Sequence, residues 1–130
     1  MASLIEIIAD DRERTAPVIE RLRANDDVVI TVKRLGLGDY LVDQRLLFER
    51  KSQADLPASI VDGRLLSQLV RLAASRFRSV LVLEGPATEQ ASSGVSRDAI
   101  QGALNATANE LSAVHGIGAS TATKIRWALS

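Results

Sequence analysis

Three charged side chains stand at a spacing that can do chemistry. Asp39 lies in Gly38-Asp39-Tyr40, and nine residues later comes Glu49-Arg50-Lys51. An aspartate at the start of one strand and a glutamate near the end of its hairpin partner can converge on one point. Two carboxylates there can hold a hard divalent cation, Mg²⁺ or Mn²⁺. Lys51 follows Glu49 by two residues, so on a strand it leaves from the same face. A lysine beside a metal can orient or polarise an attacking water and offset phosphate charge. This is the logic of metal-dependent phosphodiester hydrolysis. Taken alone, the trio also describes solvated hairpin ends beyond a turn at Gly38. Its company matters: Asp10 closes an apolar strand from which it can aim at the same sheet edge, Glu13 is near it, and Asp55 follows Lys51 by four residues. Asp10-Asp11-Arg12-Glu13-Arg14 also fits a solvated charge run, and Asp55 fits a helix N-cap.

The elements that must position these groups are legible. Leu4 to Ala9 is a short apolar run and predicts a buried strand. Pro17 suits the first turn of a helix whose apolar face is Val18, Ile19 and Leu22. Val28-Val29-Ile30-Thr31-Val32 is rich in β-branched residues and predicts a second strand. Tyr40-Leu41-Val42 and Leu46 to Glu49 flank the polar Asp43-Gln44-Arg45, which predicts a hairpin. Helix is expected from about Asp55 to Ser75, divided at Asp62-Gly63, then a buried strand at Val80–Glu84 and a helix capped by Ser96. Strands alternating with helices imply an α/β fold, with helices on both faces of a mixed sheet.

Composition narrows the chemistry. The chain has 130 residues, no cysteine and one histidine, His115. Thiolate nucleophiles, Cys-ligated zinc and multi-His metal sites within one chain are therefore excluded, and any metal site must be carboxylate-built. Aromatics make up only 3%, too few for a base-stacking platform. Sixteen basic and sixteen acidic residues cancel, which argues against binding nucleic acid by bulk charge alone. No stretch approaches the roughly 18 apolar residues of a membrane span, and the N-terminus lacks a signal-peptide pattern. A soluble intracellular protein with no membrane partner is the expectation.

Charge is nonetheless uneven. From Gly63 to Leu83 there are four arginines and no acid. Arg64, Gln68 and Arg71 fall near one helical stripe, with Arg76 and Arg78 just beyond, so this face is a candidate DNA-binding surface or an ordinary solvated one. A second signal is Ala113 to Ile125, where Gly116-Ile117-Gly118 interrupts two expected helices. Such a turn exposes backbone N–H groups to phosphate, and Lys124 lies one turn in.

With these residues in place the sequence resembles the nuclease domain of XPF-type structure-specific endonucleases. The resemblance rests on Ile7 to Glu13, Leu37-Gly38-Asp39-Tyr40 and Phe48-Glu49-Arg50-Lys51-Ser52-Gln53-Ala54-Asp55-Leu56. It continues through Ser59 to Leu65, Val82-Leu83-Glu84-Gly85 and Ala99 to Ala103. Residues 111–129 separately resemble a helix-hairpin-helix DNA-binding motif. What the resemblance implies is a restriction-endonuclease-like mixed sheet flanked by helices, with a nuclease domain over 1–107 and a helix-hairpin-helix over 108–130. It implies Mg²⁺-dependent (or Mn²⁺-dependent) cutting of flapped, forked or branched DNA in repair or recombination. Asp10, Glu13, Asp39, Glu49, Arg50, Lys51 and Asp55 fall on the catalytic motif. Asp39 and Glu49 would hold the metal with Asp10 contributing. Lys51 would serve the water and the scissile phosphate, while Arg50 would contact phosphate or brace the acids. Gly116, Gly118 and Lys124 would hold backbone phosphate.

One departure stands out. Related domains continue with a further strand and helix before the hairpin motif, whereas here the apolar period from Ile100 to Val114 runs almost straight into Gly116. A sheet lacking that edge strand exposes surface that a partner can cover. A homodimer or a heteromer with a related subunit is therefore expected. The alternative to an active enzyme is a non-catalytic DNA-binding subunit of a nuclease complex.

Overall fold

The computed structural model describes residues 3–86, 96, 98–103 and 105–106, and the backbone of 126–129. Six strands form one mixed sheet in the order β2-β1-β3-β4-β5-β6. They are β1 (Ile5–Ala9), β2 (Val28–Val32), β3 (Tyr40–Val42), β4 (Leu46–Ser52), β5 (Arg78–Glu84) and β6 (Arg126–Leu129). The helices are α1 (Pro17–Arg23), α2 (Leu56–Val61) and α3 (Arg64–Ala74), with a 3₁₀ turn at Asp11–Glu13. Strand β1 runs parallel to β2 and antiparallel to β3. The β3–β4 pair is antiparallel, and β4, β5 and β6 are parallel to one another.

Period-two alternation sorts side chains to two cores. On one face, Leu41, Leu47, Leu81 and Leu83 pack against Leu56 of α2, Leu65, Leu69 and Leu72 of α3, and Ile100. On the other, Ile7, Ala9 and Tyr40 pack against Ile19 of α1. Pro57 stands in the first turn of α2, and Gly63 separates α2 from α3 in a left-handed conformation (φ 78°). The Ser96 hydroxyl accepts the Ala99 amide at 3.1 Å, so the expected cap is made. The expected hairpin turns at Asp43 and Gln44, both at positive φ, and the Arg45 amide donates to the Val42 carbonyl at 3.0 Å. Asp43 Oδ1 also accepts the Glu6 amide at 2.9 Å, which ties the turn to β1.

The C-terminal end requires a correction. A helix was expected to run to Leu129, but Arg126–Leu129 is a strand paired parallel to β5 from Val80↔Arg126 to Leu83↔Leu129. Strand β5 would otherwise be an edge with a row of unpaired N–H and C=O groups, and pairing satisfies them. The open sheet edge expected there is thus filled by the chain itself. The rest of the expected hairpin motif, including Gly116, Gly118 and Lys124, lies outside the described residues.

Candidate active site

The end of β1, the start of β3 and the last half of β4 meet in one region. The Asp10 amide donates to the Asp39 carbonyl at 2.8 Å, and the Asp39 amide to the Phe48 carbonyl at 2.7 Å. Gly38, at φ 76°, delivers Asp39 to that register. Asp39 is 9% exposed, and its Oδ2 accepts the Arg50 amide at 2.8 Å. Glu49 and Lys51 leave β4 on the same face as the buried Leu47. Lys51 Nζ donates to Ser59 Oγ of α2 at 3.1 Å, which places its ammonium on the helix-covered side of the sheet.

The charges of Asp39 and Lys51 both reach Glu49. Burial pushes Glu49 up to about 7 from an ordinary 4.5, and the Asp39 charge pushes it further up against the pull of Lys51 and Arg12. Burial also raises Asp39, opposed by the Arg50 amide. A buried carboxylate and a half-buried one, the charge of the first raising the proton affinity of the second, make a place where a cation would be favoured. Their oxygens are hard donors, and Mg²⁺ is ordinarily held by one or two carboxylates together with substrate phosphates and waters. The pair therefore fits such an ion. Among the described residues no cluster of three or more metal-ligating side chains occurs.

Asp10 is consequently not placed as a third ligand. It is fully buried, and both its oxygens are engaged: Oδ1 accepts the Leu35 amide at 2.8 Å, and Oδ2 accepts the amide and Nε of Arg12 at 3.1 and 2.5 Å. Burial would raise its carboxyl, but these donors outweigh that and hold it below the usual range. Asp10 thus buttresses the 33–38 loop and aims Arg12. The Arg12 side chain is 69% exposed, and the Asp39 and Glu49 charges reach it. Sequence reading gave Arg12 no role, because nothing within a five-residue charge run marks which member turns inward.

Arg50 and Glu13 are separated from the pair by the sheet's alternation. Arg50 points to the opposite face from Glu49 and Lys51, where its guanidinium pairs with Glu13 and with Glu84 at the end of β5. Its Nη2 donates to Glu84 Oε2 at 2.7 Å, and Tyr40 Oη donates to Glu13 Oε2 at 2.9 Å. The Glu84 hydrogen bond, followed by the Glu13 charge, raises Arg50 further despite its burial. Burial and the bond to Glu13 likewise raise the Tyr40 hydroxyl. The Arg50 backbone amide holds Asp39, while its side chain joins β4 to Glu13 and to the end of β5. Glu84 was missed as a member of this network, since a lone glutamate closing an apolar strand carries no local signal. Glu13 still acts on Asp39 and Glu49 through its charge.

Asp55 is exposed at the N-cap position of α2 and makes no side-chain cap hydrogen bond. Its amide instead donates to Ser52 Oγ at 3.0 Å. Along the arginine stripe, Arg64 is exposed and its Nε donates to Asp62 Oδ2 at 2.6 Å. Asp62 in turn feels Lys51, so the start of α3 lies toward the Lys51 end of β4. Arg71 is exposed and, among the described residues, in no ion pair. Gln68 is half-buried with its Oε1 unpartnered, so it is not a free surface contact.

A family model described as the ERCC4 domain matches residues 9–112. The chain belongs to the ERCC4 domain family. This ERCC4 domain is 35% identical over 82 residues to the 3′-flap repair endonuclease Xpf of Saccharolobus solfataricus, covering 63% of this chain and 35% of that one. It is 38% identical over 81 residues to a Methanocaldococcus jannaschii protein described as an ATP-dependent RNA helicase, covering 62% of this chain and 10% of that one. Fanconi anemia group M protein of Gallus gallus is 34% identical over 80 residues, 4% of its length. Among solved structures, XPF from Aeropyrum pernix in complex with DNA superimposes with a TM-score of 0.72 at 27% identity, over 96% of this chain and 56% of that one. The mixed sheet flanked by helices is thus the restriction-endonuclease-like fold of the XPF nuclease. The chain spans about a third of the flap endonuclease and a tenth of the helicase.

The raised Glu49 has a pH consequence. Between about 4.5 and about 7 the folded, metal-free chain keeps a proton that the unfolded chain has lost. Its stability should therefore fall as pH rises across that window and level off above it. A divalent cation held by Glu49 would have to displace that proton, and its affinity would then rise about tenfold per pH unit up to about 7 and flatten above it. Glu49→Gln should remove the melting-temperature slope of the metal-free chain. Thermal melts and Mg²⁺ calorimetry across pH 5–8 in buffers of differing ionisation enthalpy check both. Identical slopes for wild type and variant would reject the assignment.

Proposed function

We propose that this chain is the nuclease module of a structure-specific DNA endonuclease, hydrolysing phosphodiesters at junctions between duplex and single strand. The observation that carries this is the Asp39–Glu49 pair in an ERCC4 domain, where the Asp39 charge raises the proton affinity of Glu49 and the Lys51 charge opposes it. Asp39 and Glu49 would hold a Mg²⁺ or Mn²⁺ ion, which when bound supplies charge neutralisation at the scissile phosphate and a more acidic water. Lys51, steadied by Ser59, orients that water and offsets phosphate charge. Arg12, exposed beside the pair, meets the flanking phosphate. Asp10 and Arg50 touch neither metal nor substrate; they hold Arg12 and Asp39 in place. Support for DNA as substrate comes from the named flap endonuclease and from the DNA-bound XPF structure. Among the described residues no helix is long and apolar enough to cross a membrane. The pairing with a second copy or a related subunit belongs to this proposal and is checked by mass in solution.

The test is a panel of labelled flap, fork and bubble DNA incubated with and without Mg²⁺ or Mn²⁺. Metal-dependent nicking near the junction is expected, and no cleavage of any junction with either ion would overturn the assignment. A non-catalytic DNA-binding subunit is favoured by one observation, that among the described residues no third metal-ligating side chain joins the pair. Junction binding with no calorimetric metal signal would establish it.

The arginine stripe has a graded expectation. Arg71→Ala should weaken DNA binding across sequences and reduce the salt slope by about 0.9. Arg64→Ala should do less, because Asp62 already half-neutralises Arg64. Affinity measured over a range of salt concentration checks the order.

A further inference from the structure

One groove among the described residues lies away from the carboxylate pair. It lies at the other end of β4, with a volume of about 940 Å³, between the β3–β4 turn and the connection from α3 to β5. Its walls carry Arg45, Arg76 and Arg78, opposed by one acid, Asp43. All three arginines are exposed, and none is in an ion pair among the described residues. By contrast, Arg12, Arg34, Arg50 and Arg64 each have a carboxylate partner.

The groove is built rather than loose. Its turn is fixed by the positive φ of Asp43 and Gln44 and by the bond from the Glu6 amide to Asp43. The Arg78 amide donates to the Arg45 carbonyl at 3.0 Å, which sets two of the guanidinium-bearing positions side by side. The Arg76 guanidinium sits 4.8 Å from the centre of the Phe77 ring. The Phe77 amide donates to Ser75 Oγ at 3.3 Å, and Ser75 Oγ donates to the Leu72 carbonyl at 2.7 Å. Unpaired guanidinia on a fixed backbone suit phosphate, because the planar fork meets phosphate oxygens in pairs and little freedom is lost on binding.

Placement says which phosphate-bearing molecule. Leu46, in the groove wall, lies five residues before Lys51, about 17 Å along an extended strand. Helix α3 spans a similar distance (about 17 Å for its eleven residues) from the Lys51 end to the groove, whose wall includes Ala73 and Ala74. The exposed Arg71 lies between. A line of arginines therefore runs from the carboxylate pair to the groove, on a chain whose net charge is zero.

We propose that this groove is a second phosphate-backbone site, gripping the nucleic-acid strand some three nucleotides (roughly 10 Å at about 3.4 Å per nucleotide, the three strand residues from Leu46 to Glu49) from the Asp39–Glu49 centre. It rests on the DNA-binding half of the preceding proposal and not on cleavage. Occupation by an acidic protein segment is the competing outcome.

The experiment measures affinity of the full chain for a labelled duplex and a single strand across about 50–200 mM salt. The triple variant Arg45→Gln/Arg76→Gln/Arg78→Gln should bind more weakly and lose up to about 2.7 from the duplex salt slope. Between those salts its affinity should fall about 40-fold less than that of wild type. The charge-keeping Arg45→Lys/Arg76→Lys/Arg78→Lys should retain most of the slope. If the Gln triple melts early, the single Arg78→Gln, expected to lose about 0.9, decides instead. An unchanged slope overturns the groove, as does an equal loss per removed charge in Arg21→Gln/Arg23→Gln on α1. So does a variant that loses poly-glutamate binding while its DNA slope stays the same. If wild type shows no salt-dependent DNA binding, the preceding proposal fails and this one with it.

Discussion

Asp39→Asn should lower phosphodiester hydrolysis by roughly three orders of magnitude while leaving the fold intact. Asparagine keeps an oxygen for the Arg50 amide, which Asp39 Oδ2 accepts at 2.8 Å, so the β3–β4 geometry survives. What disappears is the charge that raises the proton affinity of Glu49. A bound divalent cation contributes several kcal/mol to a phosphoryl transition state, and about 4 kcal/mol corresponds to a factor near 10³. Removing the charge also relieves the repulsion on Glu49, so the metal-free variant should melt at or above the wild-type temperature. Single-turnover cleavage, Mg²⁺ calorimetry and a thermal melt on the same preparation separate these effects. Lys51→Ala is the complement: cleavage should fall while Mg²⁺ binding should persist, because both proposed ligands remain. Full cleavage by Asp39→Asn would remove the pair from the chemistry.

Gly38→Ala should destabilise the chain by about 3 kcal/mol. The residue sits at φ 76°, and a Cβ there would lie 2.5 Å from Leu47 Cδ1 and 2.8 Å from Leu47 Cγ. Leu47 is itself 2% exposed within the core against α2 and α3, so it has nowhere to move. Backbone strain and overpacking therefore add. Gly63→Ala isolates the first of these, since φ is 78° but nothing lies within 4 Å of the added carbon. It should cost about 1 kcal/mol. Urea unfolding of both variants measures the difference. Gly38→Ala should also weaken Mg²⁺ binding, because any shift that clears Leu47 displaces the adjoining Asp39. Equal costs at the two glycines would show that the close approach to Leu47 carries no weight.

Much of this chain is determined locally and is readable as such. Strands such as Val28–Val32 are continuous β-branched runs, and the division of α2 from α3 is announced by Asp62-Gly63. The convergence of Asp39 with Glu49 follows from hairpin pairing, and the common face of Glu49 and Lys51 follows from strand periodicity. These are properties of neighbours in sequence, which short-range sterics and alternation enforce. What folding alone decided is which charges meet. Asp10 turns inward to Arg12 and the Leu35 amide, Arg50 turns away to Glu13 and Glu84, and residues 126–129 join β5. Those partners lie up to some tens of residues apart. A charged side chain has no period of its own to say which of several opposite charges it will reach. Only the packed sheet, by bringing strand ends together and excluding water from some of them, makes that choice.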